Sequence, residues 1–160
     1  MIKVAFFHGL ESPHRSEKNE ILERTFGEEN VYAPAMDYHN PELFSTVLKH
    51  LTENPVDLIV GSSMGGYFAH NLSTHLNKPS LLFNPALHSR SFEPQFVNFG
   101  NHRPTQVFVL GRQDDIINPM ETLKLIANPG CDWEMFIGLE SMEHRIPADI
   151  FTKWITEYTY

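Results

Sequence analysis

The stretch Gly61-Ser62-Ser63-Met64-Gly65-Gly66 stands between an apolar run at residues 56–60 and a second run at residues 67–72. The first run is rich in β-forming residues, and the second places its apolar side chains on one helical face. The sequence therefore predicts a strand, a sharp turn at Ser63 and a helix. Glycine at positions 61 and 65 removes the Cβ atoms that would clash across such a turn.

A serine inside Gly-x-Ser-x-Gly, between a strand and a helix, is typical of a nucleophile elbow. The turn lifts the Ser63 hydroxyl above the edge of the sheet and directs backbone N–H groups at the same point. This arrangement suits acyl transfer with Ser63 as the nucleophile. The alternative is a glycine-rich connection that carries an ordinary solvated serine.

The composition narrows the class of protein. The chain has 160 residues, a net charge of −8 and one cysteine. This length fits a single domain spanning residues 1–160. The negative charge argues against nucleic acid and anionic membranes as partners. A lone Cys131 excludes an intramolecular disulfide. The sequence has no apolar segment long enough to cross a bilayer, and we expect a cytoplasmic protein.

Strands and helices are predicted to alternate along the chain. Nearly continuous apolar strands that alternate with helices predict a mostly parallel sheet covered on both faces, a three-layer α/β/α sandwich. In such a fold, active groups follow the carboxyl ends of the strands. The predicted strands are 2–7, 30–33, 56–60, 80–83, 106–110 and 133–137. The predicted helices are 16–26, 41–53, one that follows the elbow and ends at residue 76, 119–127 and 147–158.

A nucleophilic serine needs a base and an acid, in the chain order Ser, Asp or Glu, His. His144 follows the last predicted strand, and an imidazole can accept the serine proton near neutral pH. Asp114 follows the preceding strand and is our choice for the acid, with Asp115 in reserve. We expect Ile116 and Ile117 to pack beneath this acid.

An oxyanion hole needs two N–H donors. The first is the backbone N–H of Met64, directly after the nucleophile, and the second comes from the loop after the first strand. There Gly9 lets the backbone turn inward, and we assign the donor to Leu10. His8 is interpreted as a structural residue beside the substrate pocket.

The other histidines show no spacing typical of zinc ligands, so we expect no metal and no cofactor. They are His14, His39, His50, His70, His75, His88 and His102.

Residues 6–13 (Phe-Phe-His-Gly-Leu-Glu-Ser-Pro), residues 61–66 and Asn84-Pro85-Ala86 together give a more specific signature than the elbow alone. With these motifs, nearly the whole chain resembles the small bacterial α/β-hydrolase esterases of the YqiA/YcfP type. The resemblance implies the α/β-hydrolase fold, a triad of Ser63, Asp114 and His144, and hydrolysis of carboxylic esters or thioesters. Leu10 departs from the group, which commonly has an aromatic residue there, and residues 141–144 lack the usual glycine-rich approach to the histidine.

Many hydrolases insert a lid before the strand that delivers the acid. Here that interval, residues 86–105, is short and rich in aromatic residues. We expect a minimal cap in which Phe92 and Phe96 line an acyl pocket. Packing of these aromatic side chains into the main core is the alternative.

The sequence thus predicts a serine hydrolase that acts on a small-molecule acyl ester or thioester. An amidase or peptidase with the same triad is one alternative, and a non-catalytic binding module on the same fold is another. A phosphate-binding domain is disfavoured because no Walker lysine follows Gly65-Gly66.

Overall fold

The computed structural model describes residues 1–93, 100–127 and 134–158. In these ranges the strands are β1 Val4–Phe7, β2 Val31–Tyr32, β3 Leu58–Ser62, β4 Ser80–Phe83, β5 Gln106–Gly111 and β6 Met135–Glu140. The helices are α1 Glu17–Phe26, α2 Leu43–Glu53, α3 Met64–Leu76, α4 Pro119–Ile126 and α5 Ala148–Tyr158. None of the helices in these ranges is both long and apolar enough to span a bilayer.

The six strands form one sheet in the order β2-β1-β3-β4-β5-β6, and every pairing described is parallel. The register pairs Phe7 with Gly61, and Ser62 with Phe83. The carboxyl ends of the central strands therefore meet at one edge of the sheet. The predicted three-layer fold is confirmed, with a sheet that is parallel throughout the described strands.

Neighbouring residues of the central strands β1, β3, β4 and β5 enter cores on opposite faces of the sheet, as the two-residue period of a strand requires. Phe7 packs with Phe44 and Phe68 in the core covered by α2, α3 and α4. Phe6 packs with Phe83 and Phe151 in the core covered by α1 and α5. Both faces of the central strands are thus buried, which fixes the strand ends that carry the site.

The largest differences from the predicted elements concern β3 and β6. The prediction ended β3 at residue 60, whereas pairing with β4 extends the strand to Ser62, so that Ser63 follows it directly. The prediction placed the last strand at 133–137, but β6 runs to Glu140 because it pairs with the whole of β5. Residue 133 and Cys131 lie outside the described residues.

Candidate active site

Ser63 occupies the turn between β3 and α3 in a conformation that L-residues rarely adopt, with φ 56° and ψ −118°. Its N–H donates to the carbonyl of Phe83 at 3.0 Å. Its own carbonyl accepts from the N–H groups of Tyr67 at 3.1 Å and Ala86 at 3.0 Å. The backbone bonds on both sides hold the strained turn in place.

The turn depends on glycine at two close approaches. A Cβ atom at Gly65 would lie 1.9 Å from the carbonyl oxygen of Phe7, and a Cβ atom at Gly61 would lie 2.2 Å from the carbonyl oxygen of Gly65. Any side chain at these positions would push α3 away from the ends of β1 and β3. Glycine therefore lets the start of α3 rest directly on the sheet edge.

His144 follows β6 and lies between Ser63 and Asp114. Its Nε2 is 2.9 Å from the Ser63 hydroxyl oxygen, and its Nδ1 is 2.8 Å from Oδ2 of Asp114. The side chain of His144 is 25% exposed, whereas that of Asp114 is fully buried. The structure thus brings the three residues predicted for the triad into one hydrogen-bonded chain.

The loop after β5 fixes the Asp114 carboxylate through its second oxygen. Oδ1 accepts the backbone N–H groups of Ile116 at 2.9 Å and Ile117 at 2.8 Å. Asp115, the reserve acid, is exposed to solvent. The expectation that both isoleucines pack beneath the acid is wrong for Ile116, which is 63% exposed while Ile117 is buried. Only one of the two adjacent isoleucines therefore contributes to the packing at this turn.

Asn84 joins the loops that carry the acid and the base, a role that the sequence reasoning did not identify. Its side-chain amide donates to the carbonyls of Glu143 at 3.2 Å and His144 at 3.0 Å. Its side-chain oxygen accepts the N–H of Gly111 at 2.7 Å. The residue is buried and has a positive φ of 40°, a conformation that asparagine tolerates better than most residues. The Asn-Pro-Ala motif was the only signal in the sequence for this residue.

The two residues predicted for the oxyanion hole lie beside Ser63. Met64 is the first residue of α3, so its N–H has no acceptor within the helix. A Cβ atom at Gly9 would lie 3.5 Å from Cβ of Ser63, which places the loop after β1 directly over the nucleophile. Leu10 lines the same cleft as Ser63.

His8 is buried and directs both ring nitrogens to backbone groups. Nε2 accepts the N–H of Met36 at 3.1 Å, so the proton resides on Nδ1, which donates to the Gly9 carbonyl at 2.8 Å. Burial lowers the pKa of His8, with a smaller opposing effect of the bond to Gly9. His8 does not line the cleft at Ser63, where a pocket role was predicted.

The cleft at Ser63 is open and has a volume of ≈ 470 Å³. Its apolar walls come from Leu10, Ile116 and Ile146. Phe92 does not line it: its ring lies 4.2 Å from that of His39, centroid to centroid. Phe96 lies outside the described residues. The other residues that line the cleft are Gly9, Glu11, Ser12, Lys18, Ser62, Ser91, His144 and Arg145.

The start of the predicted cap is tied to α3. The Arg90 guanidinium lies 3.9 Å above the ring of Tyr67 and forms an ion pair with Glu93 at 2.8 Å. The Tyr67 hydroxyl donates to the same carboxylate at 2.8 Å. These contacts hold the segment that carries Ser91 at the rim of the cleft.

Among the residues that the structure describes, no group of three or more His, Cys, Asp or Glu side chains is arranged to hold a metal ion. His70 is occupied by a structural contact, since its Nδ1 is 3.0 Å from the side-chain oxygen of Gln106.

Several solved structures share this architecture. A candidate hydrolase of the α/β superfamily from Xanthomonas campestris pv. campestris is 16% identical and superposes with a TM-score of 0.65 over 98% of this chain and 99% of its own. Est1E from Butyrivibrio proteoclasticus is 12% identical and superposes with a TM-score of 0.68 over 99% of this chain and 86% of its own. A serine α/β hydrolase without a lid from Xanthomonas campestris is 11% identical and superposes with a TM-score of 0.64 over 98% of this chain and 80% of its own. The chain therefore has the α/β-hydrolase fold.

Comparison of the sequence with curated proteins gives no significant match. The model of the uncharacterised protein family UPF0227 matches residues 3–127, most of the chain. This match confirms the resemblance to the YqiA/YcfP type, and the chain belongs to the UPF0227 family.

Proposed function

We propose that this protein is a serine hydrolase that cleaves carboxylic esters or thioesters through an acyl-enzyme. The observation that carries the proposal is the hydrogen-bonded chain from Ser63 through His144 to Asp114. It joins a hydroxyl, an imidazole and a buried carboxylate in the order that acyl transfer requires.

In the first half of the reaction, Oγ of Ser63 attacks the carbonyl carbon while Nε2 of His144 accepts the hydroxyl proton. Asp114 holds the proton on Nδ1 and stabilises the imidazolium that forms. When the tetrahedral intermediate collapses, the imidazolium gives its proton to the departing alkoxide or thiolate. The acyl group remains on Ser63.

In the second half, a water molecule takes the place of the leaving group. His144 accepts one of its protons as the water oxygen attacks the acyl-enzyme carbonyl, and then returns that proton to Oγ of Ser63. The products are the free acid and the regenerated serine. No group beyond the three side chains and water is needed to balance either half.

The negative charge on the carbonyl oxygen is assigned to the backbone N–H groups of Met64 and Leu10. Support comes from the position of Met64 at the start of α3 and from the loop at Gly9 and Leu10, which lies over Ser63. Loss of one such donor typically costs about 10²–10³ in turnover.

The open cleft favours small acyl groups. Leu10, Ile116 and Ile146 provide its apolar surface, and we assign contact with the acyl chain to them in place of Phe92. The absence of a lid in one structural neighbour shows that this fold can be built without one. A fold without a lid is consistent with the short interval at residues 86–105 in this chain.

The first test is covalent labelling by a fluorophosphonate probe, read by intact mass. Attack by Ser63 forms the Oγ–P bond and expels fluoride, so we expect one adduct on the wild type and none on Ser63→Ala. Ser91→Ala is the matched control, because Ser91 lines the same cleft and its loss should leave the adduct in place. A folded wild-type protein that acquires no adduct would contradict the proposal.

Turnover of matched substrates then defines the bond that is cleaved. A butyrate ester, the corresponding thioester and the corresponding amide differ only in the leaving atom. We expect hydrolysis of the first two. Hydrolysis of the amide at a rate comparable with that of the ester would identify an amidase instead.

A further inference from the structure

Two cationic side chains line the cleft that contains Ser63. Lys18 comes from the first turn of α1, and Arg145 directly follows His144. Both also border an adjoining depression of ≈ 460 Å³. Basic residues at this position are unexpected in a chain whose net charge is −8.

Neither cation forms an ion pair in the described part of the chain, where the recorded pairs involve other residues. Lys18 is half-buried. Burial lowers the pKa of Lys18, and the nearby charge of Arg145 lowers it further, whereas the charge of Glu17 raises it. Arg145 is exposed, and an anion bound between the two like charges would relieve their mutual repulsion.

We propose that Lys18 and Arg145 bind a carboxylate of the substrate, so that the preferred substrates are esters or thioesters with a carboxylate near the scissile bond. This inference rests on the proposed function of Ser63 and names its substrate class. A carboxylate accepts hydrogen bonds from both ammonium and guanidinium groups, and the planar guanidinium can bind it through two N–H donors.

The charges that line the cleft favour binding of a substrate group with one negative charge over binding of an uncharged group. Three charged residues line it, Glu11, Lys18 and Arg145, which leaves one net positive charge beside Ser63. Glu17 and Glu143 line the adjoining depression but not the cleft. The same two cations are thus accompanied by one carboxylate in the cleft and by two in the adjoining depression, so the excess of positive charge is on the side of Ser63.

The test compares anionic and neutral esters of equal size. Monoethyl succinate is matched by ethyl isocaproate, in which an isopropyl group replaces the carboxylate on the acyl side. The butyrate ester of β-hydroxypropionate is matched by isopentyl butyrate, which makes the same exchange on the leaving-group side. The readout is the ratio of kcat/KM for the anionic ester to kcat/KM for the neutral ester, in each pair.

We expect the wild type to prefer the anionic member of one pair by about tenfold, and the pair that shows it identifies the side that faces the cations. Lys18→Met and Arg145→Gln should each reduce the ratio by about threefold, and the double variant should abolish the preference. Lys18→Arg should retain it. The control is Lys49→Met, which removes an exposed lysine on α2. Higher ionic strength should weaken the wild-type preference.

This inference would be overturned by a wild-type ratio of one or less in both pairs, or by a preference that persists in the double variant. In either case, hydrolysis of the neutral esters would still support the proposed function. If no ester is hydrolysed, the proposed function fails, and calorimetric titration with succinate tests the cation pair separately. Binding that the double variant abolishes would support the carboxylate site. Equal binding, or none, would refute it.

Discussion

Two histidines that follow parallel strands, His8 after β1 and His144 after β6, have opposite surroundings. His8 is buried, and both ring nitrogens bond to backbone groups, the Met36 N–H and the Gly9 carbonyl. His144 is partly exposed and bonds on one side to a carboxylate and on the other to a hydroxyl. Only the second ring has a partner with which a proton can be exchanged during a reaction.

The contrast shows that the position of a histidine in this fold does not define its chemistry. The bonds of His8 fix one tautomer, and protonation of Nε2 would break the bond from Met36. The surroundings of His144 stabilise the same tautomer but leave Nε2 directed at an oxygen that can lose a proton. The variants below test this distinction, beginning with the largest effect.

The largest expected effect comes from cutting the proton path at His144. His144→Ala and Ser63→Ala should each lower kcat on a butyrate ester by about 10⁶, because the two groups act as a unit. The double variant should lose little more than either single variant. His8→Gln should lower kcat far less and act on stability instead, which thermal unfolding would show. Equal losses of kcat at positions 8 and 144 would remove the distinction between the two rings.

The next largest effect is expected from a variant that changes the tautomer of His144 but leaves the loop that carries Asp114 folded. Asp114→Asn keeps an oxygen for the N–H groups of Ile116 and Ile117, so the loop should remain folded. Its amide would donate to Nδ1 of His144 and force the proton onto Nε2, which could then no longer accept one from Ser63. We expect kcat to fall by about 10⁴.

Asp115→Asn is the matched control for this measurement, because Asp115 is adjacent and exposed. It should alter kcat by less than about twofold. A large loss at position 115 with a small one at position 114 would make the reserve acid the true partner of His144.

The fold, the turn at Ser63 and the candidate acid and base were predictable because the signals for them in the sequence are local. A strand, Gly-x-Ser-x-Gly and a helix lie within one short segment around Ser63, and the strand order brings the ends of β5 and β6 close to it. The parallel sheet follows from nearly continuous apolar strands that alternate with helices along the chain. The residues proposed as acid and base could therefore be named from their places after strands, before any contact was known.

What the sequence could not give depends on contacts between distant residues. The bonds from Asn84 reach Gly111, Glu143 and His144, between 27 and 60 positions away, and no local pattern encodes them. Ile116 is exposed and Ile117 is buried although both N–H groups bond to the same oxygen of Asp114, so the local pattern could not distinguish the two side chains. The position of Phe92 beside His39 likewise follows from tertiary packing, which apolar composition alone does not determine.

Asn84 offers a smaller, more specific test of how His144 is held. Asn84→Ala removes three hydrogen bonds and places a Cβ-bearing residue without a polar side chain at positive φ. We expect kcat to fall by about 10–100-fold and the free energy of unfolding by about 2–3 kcal/mol. Asn84→Gly relieves the backbone strain but not the lost bonds, so it should recover stability more than kcat. Parallel recovery of both would show that Asn84 has no positioning role.

The smallest expected effect is the pH dependence of stability, which His8 and the half-buried His70 should dominate. Burial lowers the pKa of His8, and it lowers the pKa of His70 to about 4 despite the bond to Gln106. In the unfolded chain both return to about 6.5. Below that pH the unfolded state therefore binds protons that the native state does not, and stability falls as the pH decreases from about 6.5 towards 4.

Urea unfolding at pH 7 and pH 5 measures this loss directly. For His70 alone the free energy of unfolding should decrease by about 2 kcal/mol between the two values. His70→Gln should remove most of that contribution, and His8→Gln a further part. The control is His102→Gln, because His102 is exposed. If His102→Gln changed the pH dependence as much as His70→Gln, burial would not be its source, and the contrast between buried and reactive histidines would hold for activity alone.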